Sequence, residues 1–164
     1  MKKYKVGVIG ATGMVGQRFA LLLANHPWFE ISALAASQRS AGKTYEEAVQ
    51  GRWLMSEPLP EALKNIPLED AANVQALADK VDFVFCAVNM PKPATRELEE
   101  SYAKAEIPVV SNNSACRLLP DVPMLIPECN PDHAHAIAQQ RKRLGTKRGF
   151  IAVKPNCSIQ SYVP

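Results

Sequence analysis

The sequence predicts an α/β fold with a doubly wound, mainly parallel sheet. Short apolar runs bounded by turn residues alternate with segments of helical periodicity. The first apolar run also passes through a glycine-rich turn into the first helix. With 164 residues, 47% apolar and 21% charged, the composition is that of a globular chain. A chain of this size buries roughly 70% of its unfolded surface, enough for one core and too little for two full domains.

Each element has its own reason. Residues 6–9 are a continuous apolar run stopped by Gly10, which reads as a buried strand. Residues 14–25 place Met14, Val15, Phe19, Leu22 and Leu23 on a helical face, and His26-Pro27 ends that helix. Residues 29–36 are a second strand and 37–44 a polar loop. Residues 56–67, with Pro58, Pro60 and Pro67, read as an irregular excursion. Residues 81–88 give the strongest strand pattern, and 93–105 a helix with a charged outer face. Residues 107–111 are a strand, with Pro108 near its start where the missing N–H is tolerated. Another strand is expected at 124–127. Asn130-Pro131 should cap a helix running to about Arg143 and ending at Gly145. Residues 150–153 form the last strand, and a further helix starts at Cys157.

Charge excludes some partners. Lys plus Arg number 19 against 16 Asp plus Glu, a net +3. That excess is small and scattered and does not point to nucleic acid. The densest basic run, Arg141-Lys142-Arg143 with Lys147 and Arg148, contains no aromatic residue for base stacking and reads as a solvated helix end. No apolar run approaches the ~18 residues of a membrane span, and the N-terminus leads straight into a strand rather than a signal peptide. Cys86, Cys116, Cys129 and Cys157 lack paired spacing, so reduced thiols and a cytoplasmic location are expected.

The glycine loop Gly10-Ala11-Thr12-Gly13-Met14-Val15-Gly16 has the spacing G-x-x-G-x-x-G between the first strand and the first helix. Gly10 suits a tight turn, Gly13 the close approach of a pyrophosphate, and Gly16 close packing of the helix. The backbone around Thr12, Met14 and Val15 would turn helix N-terminal amides toward the phosphates. This is a Rossmann-type dinucleotide fingerprint. The end of the second strand, residues 35–43, carries no carboxylate for a ribose 2′-hydroxyl. Ser37, Arg39, Ser40 and Lys43 instead offer donors and positive charge for a 2′-phosphate, favouring NADP(H) over NAD.

Cys157 follows a strand and opens a helix, where helix-end N–H groups favour a thiolate and could stabilise an oxyanion. A cysteine beside a nicotinamide suggests aldehyde chemistry through a thioester. Five blocks in order carry a resemblance: the glycine loop extended to Gln17-Arg18-Phe19, Ser37-x-Arg39-Ser40-x-Gly42-Lys43, the 111–117 segment from Ser111 to Arg117, Ile126-Pro127-Glu128-x-Asn130-Pro131, and Pro155-Asn156-Cys157-Ser158. Together they resemble the N-terminal half of aspartate-β-semialdehyde dehydrogenases, from Lys5 to Pro164. The resemblance implies NADPH-dependent reductive dephosphorylation of L-4-aspartyl phosphate to L-aspartate 4-semialdehyde, on the way to lysine, threonine and methionine. It implies Cys157 as nucleophile, Asn156 lining an oxyanion site, Gln160 positioning substrate, and Arg117 with Asn113 binding phosphate. It implies a dinucleotide-binding domain over residues 1–154 and the start of a catalytic domain at 155–164. The rest of that second catalytic and dimerisation domain, with its histidine base, would be absent, so the 164 residues alone are expected to be inactive. A full-length form would be a homodimer or homotetramer.

Other readings compete. N-acetyl-glutamyl-phosphate reductases share the loop, the cysteine and the acyl-phosphate chemistry, but a tyrosine usually follows their second loop glycine, where this chain has Met14. Glyceraldehyde-phosphate dehydrogenases would want a different loop and an acidic NAD residue. A non-catalytic nucleotide-binding module would bind cofactor without thiol chemistry. Cys116, Cys129, His133 and His135 are metal-ligand types, but Pro131 starts a helix among them and no C-x-x-C pair anchors a site, so no metal is expected.

Overall fold

The computed structural model describes residues 2–164, apart from the side chain of Ser161. The chain forms two compact units, one ending at Asn89 and the other beginning at Met90.

The first unit runs β1 (Tyr4–Ile9), α1 (Met14–Leu23), β2 (Phe29–Ala36), α2 (Tyr45–Val49), α3 (Glu61–Lys64), β3 (Leu68–Asp70), α4 (Gln75–Ala78) and β4 (Phe83–Cys86). The named strands pair in parallel: β1 lies between β2 and β4, and β3 pairs with β2. The strand order therefore reverses direction at β1, the position where open parallel sheets leave a ligand crevice. Val6, Val8 and Ile9 are fully buried, as an inner strand covered on both faces requires. Val6 and Val8 pack with Ala20 and Leu23 of α1, Leu34 of β2 and Tyr45 of α2. Partly buried aromatic rings extend this core, with Phe19 stacked on Phe85 at 4.9 Å and Phe29 edge-on to Phe83 at 5.5 Å.

Several elements differ from the sequence expectation. The strand expected at 81–88 is confined to Phe83–Cys86. The irregular 56–67 stretch contains one helical turn, Glu61–Lys64. β3, α2 and α4 were not expected, because three to five residues are too few to establish a period. One of them did carry a legible start: Thr44 and Glu47 form a reciprocal capping box at α2.

The second unit runs α5 (Lys92–Lys104), β5 (Val109–Ser111), a 3-10 turn (Pro131–His135), α6 (Ala136–Leu144), β6 (Ile151–Val153) and α7 (Cys157–Tyr162). β5 and β6 pair in parallel. The strand expected at 124–127 is only a single bridge from Met124 to Val153. Pro123 and Pro127 lack donors there, and the Asn130 side chain takes up both the Ile126 N–H at 2.8 Å and the Met124 carbonyl at 3.0 Å. Asn130 is therefore used on the preceding loop and makes no side-chain cap to the following turn. The helix expected from 131 starts as a 3-10 turn and becomes α-helical at Ala136. It ends at Gly145 in the left-handed conformation, φ 72°.

The basic run is not simply solvated. The Arg143 guanidinium donates to Asp121 and lies 2.9 Å from Glu100. Burial alone would raise Glu100, but hydrogen bonds from Arg143 and Arg96 outweigh it and hold the carboxyl below its usual range. Arg141 donates to the Arg148 carbonyl at 2.8 Å and stands 5.5 Å over the Phe150 ring.

Candidate functional site

The glycine loop leaves the carboxyl end of β1. Gly10 turns with φ +85°, and a Cβ there would lie 2.6 Å from the Ala87 carbonyl oxygen. A Cβ on Gly16 would lie 2.1 Å from the Gly10 carbonyl oxygen, so the first turn of α1 packs directly on the loop. Gly13 is different. It sits extended at the helix cap, and the nearest atom to a Cβ there is 3.5 Å away. Nothing within the chain requires a glycine at that position; only an approaching ligand would. The next amides, on Met14, Val15 and Gly16, are first-turn donors without an intrahelical acceptor.

Two side chains that the sequence reading missed hold the loop in place. Gln17 is fully buried, and its amide nitrogen donates to the Thr12 carbonyl at 3.0 Å and the Arg52 carbonyl at 2.9 Å. Its amide oxygen accepts from the Leu54 N–H at 2.8 Å. The buried Tyr45 hydroxyl donates to the Ala11 carbonyl at 2.9 Å, and burial pushes it well above the usual phenol range. A glutamine inside a helix pattern carries no mark of such a role, since two of its three partners, Arg52 and Leu54, lie 35 and 37 positions away.

A cleft of about 680 Å³ opens beside this loop. Thr12 and Gly13 line it together with Ser37, Arg39, Ser40 and Lys43 from the segment after β2. Gly10 and Gly16 shape the loop but do not line the cleft, nor do Met14 and Val15, which are exposed on the first turn of α1. The 37–43 segment is bonded to β3, with the Gly42 N–H on the Leu68 carbonyl and the Leu68 N–H on the Lys43 carbonyl, each at 2.8 Å. Glu47, Ala48, Gln50, Arg52 and Asn89 complete the wall and were absent from the sequence reading. The carboxylate of Glu47 is taken up by the Thr44 cap, whose backbone and side-chain hydrogen bonds hold it below its usual range. Arg39, Lys43 and Arg52 form no ion pair among the described residues. The cleft therefore presents three cations against one carboxylate, Glu47, and none of the three is within ion-pair distance of a carboxylate among the described residues, a balance that suits an anionic ligand.

In the second unit, Cys157 is the exposed first residue of α7. The Asn156 side-chain oxygen caps this helix, accepting from the Ser158 N–H at 3.1 Å and hydroxyl at 2.8 Å, and it lies 3.5 Å from the Cys157 sulfur. Gln160 follows three positions later with an exposed side chain, a spacing that puts it on the same helical face. Arg117 is half-buried and donates to the Lys154 carbonyl at 3.1 Å and the Asn112 carbonyl at 3.3 Å. It thereby joins the 112–117 segment to the base of the cysteine segment. Asn113 donates its side-chain amide to the buried Glu99 carboxyl at 2.9 Å, and the Ser111 hydroxyl donates to the same oxygen at 2.5 Å. Cys116 is the opposite of Cys157: it is fully buried, and burial together with the nearby Glu99 charge pushes its thiol up to about 12. All four cysteines are thiols. Among the described residues no group of His, Cys, Asp and Glu is arranged to hold a metal ion. Among the described residues no helix is long and apolar enough to cross a membrane.

Comparison with known proteins places this geometry in a family. Residues 5–137 match the family model described as semialdehyde dehydrogenase, NAD binding domain. The chain is 46% identical over 158 residues to an aspartate-semialdehyde dehydrogenase of Archaeoglobus fulgidus, covering 95% of this chain and 43% of that protein. It is 45% identical over 157 residues to one from Aspergillus fumigatus, covering 96% of this chain and 42% of that protein. Among solved structures, aspartate semialdehyde dehydrogenase with NADP from Candida albicans superposes with a TM-score of 0.82 at 39% identity, over 99% of this chain and 45% of the other. The chain thus spans less than half the length of these relatives. On the match over residues 5–137 and the parallel sheet with its glycine loop, the chain belongs to the semialdehyde dehydrogenase NAD-binding domain family.

Proposed function

We propose that this chain is the cofactor-binding and nucleophile-bearing part of an aspartate-semialdehyde dehydrogenase specific for NADP(H). The reaction is the reductive dephosphorylation of L-4-aspartyl phosphate to L-aspartate 4-semialdehyde. The observation that carries the cofactor reading is the cleft, where an unobstructed Gly13 faces Arg39, Ser40 and Lys43 with no ion pair to neutralise them. Gly13 and the α1 amides would hold the diphosphate of a dinucleotide, and Arg39, Ser40 and Lys43 would hold its 2′-phosphate. A nicotinamide cofactor held there would supply hydride for the reductive step.

The chain's own chemistry centres on Cys157. Its sulfur attacks the acyl-phosphate carbonyl, the carbon–sulfur bond forms, and the carbon–oxygen bond to phosphate breaks with phosphate leaving. Asn156 caps the helix whose first-turn amides can receive the developing oxyanion. Arg117 and Asn113 present donors for the substrate phosphate, Arg117 from a backbone-anchored position. Gln160, one turn along from the cysteine, orients the acyl group. The assembly of the whole enzyme as a homodimer or homotetramer belongs to the same proposal, as does turnover that needs residues outside this segment.

The test has two parts. Calorimetric titration should show NADP+ binding more tightly than NAD+, and Arg39→Gln should remove most of the difference. Mild alkylation of the native chain should modify Cys157 and Cys129 and spare the buried Cys116 and Cys86. Acyl transfer from aspartyl phosphate, read as a mass increment, should appear on the peptide containing Cys157 and vanish in Cys157→Ser. Equal affinity for the two cofactors, or acylation that survives Cys157→Ser, would overturn the reading.

A further inference from the structure

The cleft holds one more cation than the 2′-phosphate reading employs. Arg52 lies beyond α2, carries no motif signature, and lines the same cleft as Thr12 and Gly13. We propose that Arg52 is a diphosphate-contacting residue of the dinucleotide site, acting beside the glycine loop while Arg39 and Lys43 act on the 2′-phosphate. The inference deepens the cofactor reading and rests on it for the identity of the ligand.

Three observations carry it. The first is placement. The Gln17 side-chain nitrogen is shared between the Thr12 and Arg52 carbonyls, at 3.0 and 2.9 Å, so the two backbones are held side by side by one buried amide. The Leu54 N–H on the Gln17 oxygen fixes the same strip from its other side. The Arg52 backbone is thus tied to the glycine loop, whereas Arg39 and Lys43 belong to the segment that precedes the Thr44 cap of α2.

The second is the state of the side chain. Arg52 is exposed, and one terminal nitrogen donates to the Ala48 carbonyl at the end of α2. A guanidinium carries five N–H donors, and that single bond orients the fork without neutralising it. No carboxylate pairs with Arg52 among the described residues. In the second unit, by contrast, the exposed fork of Arg143 is answered by both Glu100 and Asp121.

The third is charge balance. A phosphorylated dinucleotide brings two separated anionic centres, the diphosphate and the 2′-phosphate. Backbone amides at a helix start supply dipoles and no net charge. Arg52 adds a full positive charge to the cleft wall that Thr12 and Gly13 share. Its planar fork, held at the Ala48 carbonyl on the same cleft wall, can bind two phosphate oxygens at once.

The experiment is calorimetric titration of the chain and its Arg52→Gln, Arg52→Lys and Arg39→Gln variants with ADP, NAD+ and NADP+. ADP carries the diphosphate without the 2′-phosphate. Arg52→Gln should weaken all three ligands by a similar factor, about tenfold. Arg52→Lys should recover part of the loss, because it restores the charge but not the fork. Arg39→Gln should weaken NADP+ alone. If Arg52→Gln leaves ADP and NADP+ within twofold of the parent, the proposal is wrong and the cofactor reading stands. If ADP binding depends on Arg52 while NADP+ binds no better than NAD+, Arg52 stands and the 2′-phosphate reading falls. If none of the three ligands binds the parent chain, both fall.

Discussion

The two units treat their arginines differently. In the second unit, Arg143 is clamped between Glu100 and Asp121, and Arg96 pairs with Glu100 at 3.1 Å. Those charges hold helices and loops together. In the first unit, Arg39, Lys43 and Arg52 surround a cleft whose one carboxylate, Glu47, is taken up by a helix cap. Cations paired internally stabilise the fold, whereas cations left beside a cleft are available to a ligand. The same division separates the glycines: Gly10 and Gly16 answer contacts within the chain, and Gly13 answers none.

Breaking that division on the glycines should give the largest effect. Gly16→Ala drives a methyl group onto the Gly10 carbonyl, and backbone on both sides leaves little room to relax. We expect a loss of about 3 kcal/mol in urea unfolding, with cofactor binding lost as the loop distorts. Gly13→Ala should cost less than about 0.5 kcal/mol and still weaken NADP+ binding, since its methyl group would make only an ordinary 3.5 Å contact with the Gly10 carbonyl oxygen while standing in the cleft. Equal destabilisation by the two variants would dissolve the distinction.

The arginines give a smaller contrast of the same kind. Arg143→Ala removes the ion pair of the nearly buried Asp121 and one of the cationic partners of Glu100, which keeps Arg96, and should cost about 1–2 kcal/mol, discounted for the partial exposure of the guanidinium. Arg39→Gln should shift unfolding by less than about 0.5 kcal/mol while weakening NADP+. A stability loss in Arg39→Gln matching that of Arg143→Ala would show that Arg39 is a structural group.

The smallest expected effect sharpens how carboxylates act in the second unit. Glu106 follows α5 at φ 63°, and its carboxylate accepts from the backbone N–H groups of Lys147, Arg148 and Gly149. Those three bonds hold it below its ordinary 4.5. Its contribution is therefore present in full above the ordinary value and is lost as the pH falls through the lowered folded value. Thermal unfolding of Glu106→Gln should show a shallower acid-side slope than the parent and a lower midpoint at neutral pH. Parallel pH profiles would rule out this role.

Local rules made much of the molecule legible. The alternation of strands and helices, the glycine loop, and the serine and basic residues after β2 are contiguous in the chain, and each follows from a short-range constraint. Gly10 must turn sharply, and a helix must begin where β1 ends. Residues 124–127 show where such rules stop: an apolar run looks like a strand, yet Asn130 and two prolines divert its hydrogen bonds. The 3-10 start at Pro131 and the short β3 belong with it.

Sequence alone determined the fold class, the spacing of the glycine loop, the cationic segment from Ser37 to Lys43, and the placement of Cys157 at a helix start. Tertiary structure decided which cations form no ion pair among the described residues. It brought Arg52 and Asn89 to a cleft that Thr12 and Gly13 begin, and it placed one cysteine at the surface while burying another beside Glu99. The physical reason is the range of the forces involved. Turns, caps and periodicity act over a few residues, whereas burial and charge pairing depend on which distant segments the folded chain sets side by side, as Gln17 does for Thr12 and Arg52.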